Sequence, residues 1–245
     1  MATVSMPAQM RPADVPERAE QVGTRVMLQP IAAPSILGLY AFAGATFIVA
    51  ANLAGWYGNS NSPGFLFPFA AFFGGLAQFL AGMWAFRARD AIATAMHGMW
   101  GSFWMAYGVL NLLFATHVLT EPAGAFPELG WWFIVLAAVT GAGALAALME
   151  NFALFLVLGT LATGSGFAAA GFISGTTGIE QVAGWIFVAS AIIAWYTASA
   201  MMFEATAGKV ILPLGKYKRE ANRPGATVTR PIQLEMAEPG VRKGQ

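Results

Sequence analysis

Between Arg89 and Lys209 the chain runs for 119 residues without one Lys or Arg. The 13 basic residues fall instead into Arg11–Arg25, the pair Arg87 and Arg89, and Lys209–Lys243. A soluble domain needs charges of both signs spread over its whole surface. Membrane helices joined by short loops produce the opposite pattern, with Lys and Arg held on the cytoplasmic side. Only 10% of the residues are charged and 57% are hydrophobic, whereas an ordinary globular domain is about 25% charged. The chain reads as an all-α integral membrane protein.

A bilayer core of about 30 Å takes about 20 apolar residues in a helix. Six stretches read as spans: Ile36–Trp56, Phe65–Phe86, Ala91–Thr116, a shorter Trp131–Leu145, Asn151–Ile173 and Glu180–Phe203. Asn151 is placed to cap the fifth, and His117–Gly130 reads as a loop broken by Pro122 and Pro127. An even number of spans puts both ends of the chain on one side. Both end segments are basic, and so is the loop after the second span, so the positive-inside rule expects both termini in the cytoplasm. Opposite loops carry only Glu121, Glu128 and Glu180, and Trp56, Trp131, Trp132 and Trp185 fall at that interface. Residues 1–33 hold Pro, mixed charge and no apolar h-region, which argues against a signal peptide. The organisation expected is a tail (1–33), a transmembrane domain (34–215) and a second tail (216–245), both tails cytoplasmic.

Polar residues inside the spans are the default candidates for function. They are few: Tyr40, Asn52, Gln78, His97, Tyr107, Asn111, Tyr196 and scattered Ser and Thr. No charged residue occupies the middle of a span, which disfavours a pump or carrier built on a buried carboxylate. Without cysteine, and with His97 and His117 far apart, no metal cluster is encoded. No P-loop, H-E-x-x-H or nucleophile elbow occurs, so neither an enzyme nor a cofactor is expected. A net charge of +1 gives no hint of nucleic acid. Small residues such as Gly74, Gly75, Gly82, Gly98 and Gly101 recur at spacings that let helix backbones approach.

Several segments carry a resemblance. Pro34-Ser-Ile-Leu-Gly-Leu39-Tyr-Ala-Phe42 resembles the N-P-x-P-L-G-L-x-x-F opening of acetate uptake transporters. Phe72-Phe-Gly-Gly-Leu-Ala-Gln78-Phe-Leu-Ala-Gly-Met-Trp84-Ala-Phe-Arg87 is very similar to their F-x-G-G-x-A-Q-x-x-A-G-x-x-E-[FY]-[RK] segment. Gly101-Ser-Phe-Trp104, Ala183-Gly-Trp-Ile186 and Val210-Ile-Leu-Pro-Leu-Gly215 match later landmarks in order. The resemblance, to the succinate–acetate permeases and their fungal relatives, spans roughly residues 33–215.

It implies six helices per protomer, a homo-hexamer in the cell inner membrane with one path per protomer, and passage of acetate, other small carboxylates or succinate. Transport coupled to protons and channel-like conduction both remain open. The family's apolar constriction maps onto Phe42, Trp100 (where the family has Tyr) and Leu158. Gln78, Tyr40, Tyr196 and Ala194 are the candidates for touching substrate. Four departures accompany the match: Ala33 stands for the signature Asn, Ile36 for its second Pro, Ala85 for a Glu, and Trp100 for the Tyr. The Trp fills more of the bore and offers only an N–H donor. A reading from another class is a membrane sensor or scaffold whose path does not conduct.

Overall fold

A computed structural model describes residues 31–59 and 61–217. Its regular elements are all helices: α1 (Pro34–Leu53), α2 (Ser62–Ala88), α3 (Ala91–Ala115), α4 (Pro127–Ala147), α5 (Phe152–Ser174) and α6 (Thr177–Ala207). Five are long and apolar enough to cross a membrane on hydropathy alone. The remaining one, α3, has 25 residues and no Asp, Glu, Lys or Arg. Its mean hydropathy is lowered by His97, two tryptophans, Tyr107 and Asn111. The protein is a six-helix, multi-pass membrane protein.

Helix ends follow from local chemistry. The Asp90 carboxylate accepts from the Ala93 N–H at 2.8 Å to start α3, and Asn151 Oδ1 accepts from the Leu154 N–H at 2.9 Å to start α5. Several boundaries differ from the sequence expectation by a few residues; α2, for one, begins at Ser62 rather than Phe65. Residues 127–130 are the first turn of α4 rather than loop, with Pro127 opening the helix and Glu128 in its first turn. The first N–H groups of a helix lack an internal partner, so Pro costs nothing there and a carboxylate suits the dipole. Likewise α6 begins at Thr177 and runs 31 residues to Ala207.

α2 carries an unexpected feature. Pro68 removes a backbone donor inside the helix, and the chain then widens into a π-helical stretch over Ala70–Ala77. Insertions of that kind mark functional sites more often than chance. Here it turns Gly74 against α1 and α3 and Gly75 against α3, while Phe72 faces outward and the half-exposed Phe73 rests its ring on Gly44 of α1.

The helices pack in chain order, and α6 closes back on α1. Close approach between α2 and α3 needs glycine. A Cβ on Gly82 would lie 2.7 Å from the Gly98 backbone nitrogen, and one on Gly101 would lie 2.6 Å from that of Phe79. The sparse α3–α4 seam is bridged by Trp100 to Thr140 and by the Phe103–Phe133 ring contact at 5.4 Å. After α6 the chain folds back. Leu214 and Gly215 carbonyls accept from Ala153 and Phe152, two otherwise orphaned N–H groups at the start of α5. Lys216 donates to Glu204 at 2.8 and 3.0 Å, so the folded part includes Lys216. Glu204 therefore pairs with Lys216. Of the two tails expected at 1–33 and 216–245, residues 1–30 and 218–245 lie outside the described residues.

Candidate functional site

Two cavities enter the bundle from opposite ends. The near chamber, about 390 Å³, opens where α1 begins and α6 finishes. Its wall draws on Leu39 and Phe42 of α1, Gln78 of α2, His97 of α3 and Val157 and Leu158 of α5. The far chamber, about 580 Å³, opens at the other end beside Asn59, Glu121 and Pro122. Two residues line both chambers, Trp100 of α3 and Leu161 of α5. They are the partition.

Sequence reasoning placed Phe42, Trp100 and Leu158 together, and all three are buried at this level. The Phe42 and Trp100 rings meet edge to face at 6.2 Å. Phe42 and Leu158 face the near chamber only; Leu161, one turn beyond Leu158, is the aliphatic residue that also reaches the far side. The Trp100 indole N–H donates to Thr140 Oγ1 at 3.0 Å. Its one donor is thus spent inside the protein, and the residue presents an apolar ring to the path. Thr140 is wholly buried.

Gln78 is buried and lines the near chamber, its Nε2 standing 3.5 Å from His97 Nδ1. His97 is buried, and its ring rests on Gly38, where a Cβ would collide with it at 2.5 Å. The other candidates do not join them. Tyr40 shares a 2.8 Å hydrogen bond with Ser199, and the Tyr196 hydroxyl donates to the Pro213 carbonyl at 2.7 Å, tying down the C-terminal segment. Ala194 is fully buried and carries no polar group. None of these three lines either chamber. Sequence reasoning missed Leu161, Thr140 and the polar residues one turn beyond the partition, Thr46 and Trp104.

The near mouth is charged, with Asp90, Glu150, Glu204 and Lys216 in its wall. Burial first, and then the neighbouring Asp90, push the Glu150 carboxyl up from its ordinary value. At the start of α1, Ala33 offers no side-chain cap, and only its carbonyl holds the Ile36 N–H, at 3.2 Å. Ala85, where the resemblance implies a Glu, is fully buried.

Residues 19–216 match the model of the GPR1/FUN34/yaaH family. The chain belongs to that family. It is similar to the succinate-acetate/proton symporter SatP of Escherichia coli K12, 25% identical over 193 residues, which cover 76% of this chain and 96% of that protein. Acetate permease A of Emericella nidulans is 32% identical over 85 residues, covering 35% of this chain and 28% of that one. Among solved structures, the bacterial acetate channel SatP superposes with a TM-score of 0.69 at 26% identity, over 76% of this chain and all of that one. The family is one of transporters and channels, not of enzymes. The six-helix fold expected from sequence is the fold of that channel.

Proposed function

We propose that the protein carries acetate and related small carboxylates, succinate among them, across the cell inner membrane. One observation supports this above the others: two chambers enter from opposite ends and are parted by a single apolar layer at Phe42, Trp100, Leu158 and Leu161. A pore without fixed cations in its middle cannot offset the desolvation of an anion by ion pairing. It works with neutral donors, retained water and a short apolar constriction that small solutes cross briefly. Gln78 is a buried neutral polar residue in the wall of the near chamber. In this reading the near end is cytoplasmic, both tails lie there, and each protomer of a homo-hexamer has its own path. The exposed apolar face of α2, with Phe65, Phe69 and Phe72, suits lipid or a neighbouring protomer.

Uptake of labelled acetate into proteoliposomes, with and without a pH gradient, tests the reading. Purified protein should raise uptake well above empty vesicles, and a gradient-driven accumulation would assign proton coupling over channel conduction. No uptake by well-folded protein would overturn transport and favour the sensor or scaffold. Orientation is tested by single cysteines in a chain that has none. One at Ala123 should react with an impermeant reagent from outside, and one at Arg89 should not.

A further inference from the structure

Three buried side-chain atoms among the described residues have no hydrogen-bond partner: Thr46 Oγ1, Gln78 Oε1 and Trp104 Nε1. All three belong to chamber walls, Gln78 in the near one and Thr46 and Trp104 in the far one. Their register is informative. Thr46 lies four residues after Phe42 on α1, and Trp104 four residues after Trp100 on α3, so each sits one turn beyond the partition on the same helix face. The two helices converge there: a Cβ on Gly74 would lie 2.5 Å from Ala45 Cβ and 2.9 Å from Trp104 Cγ.

Leaving a buried donor unpaired costs about 1–3 kcal/mol, and both residues depart from what their neighbours do. Thr94, Thr116, Thr160, Thr163 and Thr197 each donate to the carbonyl four residues back. Thr46 does not. Trp100 gives its N–H to Thr140, whereas Trp104, one turn on, keeps its own unspent between the rings of Phe103 and Tyr107.

We propose that Thr46 and Trp104 form a two-donor site for an ionised carboxylate on the far side of the constriction. A carboxylate is an acceptor on both oxygens, so one O–H and one N–H from adjacent helices satisfy it together. Charge-assisted bonds of this kind are roughly twice as strong as neutral ones, which suits a site that must hold an anion without a cation. Both donor atoms are shielded while the partition is closed. Each lies one turn from the Phe42–Trp100 layer in the wall of the far chamber, so a local shift of that wall would bare them to a carboxylate there. This inference rests on the transport reading for its substrate but not for its geometry.

The test uses the full chain in two measurements: acetate-induced thermal stabilisation in detergent, and the acetate concentration giving half-maximal uptake in proteoliposomes. Thr46→Val is nearly isosteric and deletes only the hydroxyl; Thr46→Ser keeps it; Trp104→Phe deletes the N–H. Val and Phe should each raise the half-saturating concentration about tenfold and shrink the acetate-induced shift, while Ser stays near the parent. Without acetate, Thr46→Val should melt no lower than the parent, because the hydroxyl it loses has no partner. Parent-like saturation in folded Thr46→Val, or Ser behaving like Val, overturns the site. A parent that binds acetate through Thr46 yet moves none would sink the transport reading and keep the site. A parent that neither binds nor moves acetate sinks both.

Discussion

The two chambers differ in what they offer an anion. The near one has a charged mouth, with three carboxylates and Lys216, and narrows onto Gln78, His97 and aliphatic residues. The far one is larger and walled mainly by aromatic rings, with Glu121 and Glu180 as its charged residues. Phe103 ties this wall together, touching Trp100, Trp104 and Phe133 at 5.3–5.4 Å. Ring edges are weakly positive, so an aromatic chamber can host a carboxylate without any Lys or Arg. The near mouth instead places net negative charge where a carboxylate would leave. The path is thus asymmetric, and the apolar layer is where the two environments meet.

The largest effect should come from removing that layer. Trp100→Ala opens the partition and unites the chambers, so the comparison between them collapses. Uptake of succinate or lactate relative to acetate should rise about tenfold, equivalent to about 1.4 kcal/mol. The cost is stability: deleting a buried Trp removes about 3–5 kcal/mol and leaves Thr140 without its donor. Trp100→Phe separates the two, losing the Thr140 bond while keeping most of the ring. A competition series of mono- and dicarboxylates decides it. Unchanged size selectivity in folded Trp100→Ala would show that the barrier lies elsewhere.

Gln78→Leu comes next. It deletes the near chamber's neutral amide without widening the path, so flux of every carboxylate should fall by about tenfold while size selectivity holds. If flux is unchanged, Gln78 only packs against His97, and the near chamber works through its mouth alone.

How much of this could be read in the chain depends on the kind of signal. Six helices were legible because a bilayer demands long apolar runs, and Asp90 and Asn151 announce helix starts by their chemistry. Pro127–Gly130 reads as loop because Pro and Gly together signal a break, although Pro also suits the first turn of a helix. The π-helical stretch after Pro68 left no separate signature, since it depends on how Gly74 and Gly75 seat against α3. Leu161 was illegible for another reason: α5 is apolar on every side, so no periodicity points to the face that meets the path. Tyr40 and Tyr196 looked like substrate donors, but their hydroxyls are engaged by Ser199 and the Pro213 carbonyl. That second bond needs the chain to fold back after α6, which no local pattern reveals.

The fold-back supplies a smaller prediction. Lys216→Met removes the Nζ that pairs with Glu204 and leaves that carboxylate, 11% exposed, without this ammonium at the near mouth. The melting temperature should drop by a few degrees, and acetate release toward the near side should slow because the mouth becomes more negative. Glu204→Gln combined with Lys216→Met should recover much of both. A lysine change with no effect on release would show that the near mouth's charge is irrelevant to transport, and half of the chamber comparison would fall.

The smallest effect belongs to Glu150. Its carboxyl is pushed up by burial and by Asp90, so the folded state binds its proton more tightly than the unfolded chain does. The stability this contributes is fully present below the ordinary carboxylate pKa and is lost as pH rises through the raised folded value. Glu150→Gln should therefore melt like the parent at acidic pH and slightly above it at neutral pH, by no more than about 2 °C. Asp90→Asn is the companion, because Asn still caps α3 while removing the charge that raises Glu150. It should shift the pH-dependent step of the parent toward lower pH without a large loss of stability. Melting curves from pH 4 to 8 for the parent and both variants check this. A step that does not move in Asp90→Asn would mean that burial alone sets the Glu150 proton, and the two carboxylates would not act as one charged rim of the near chamber.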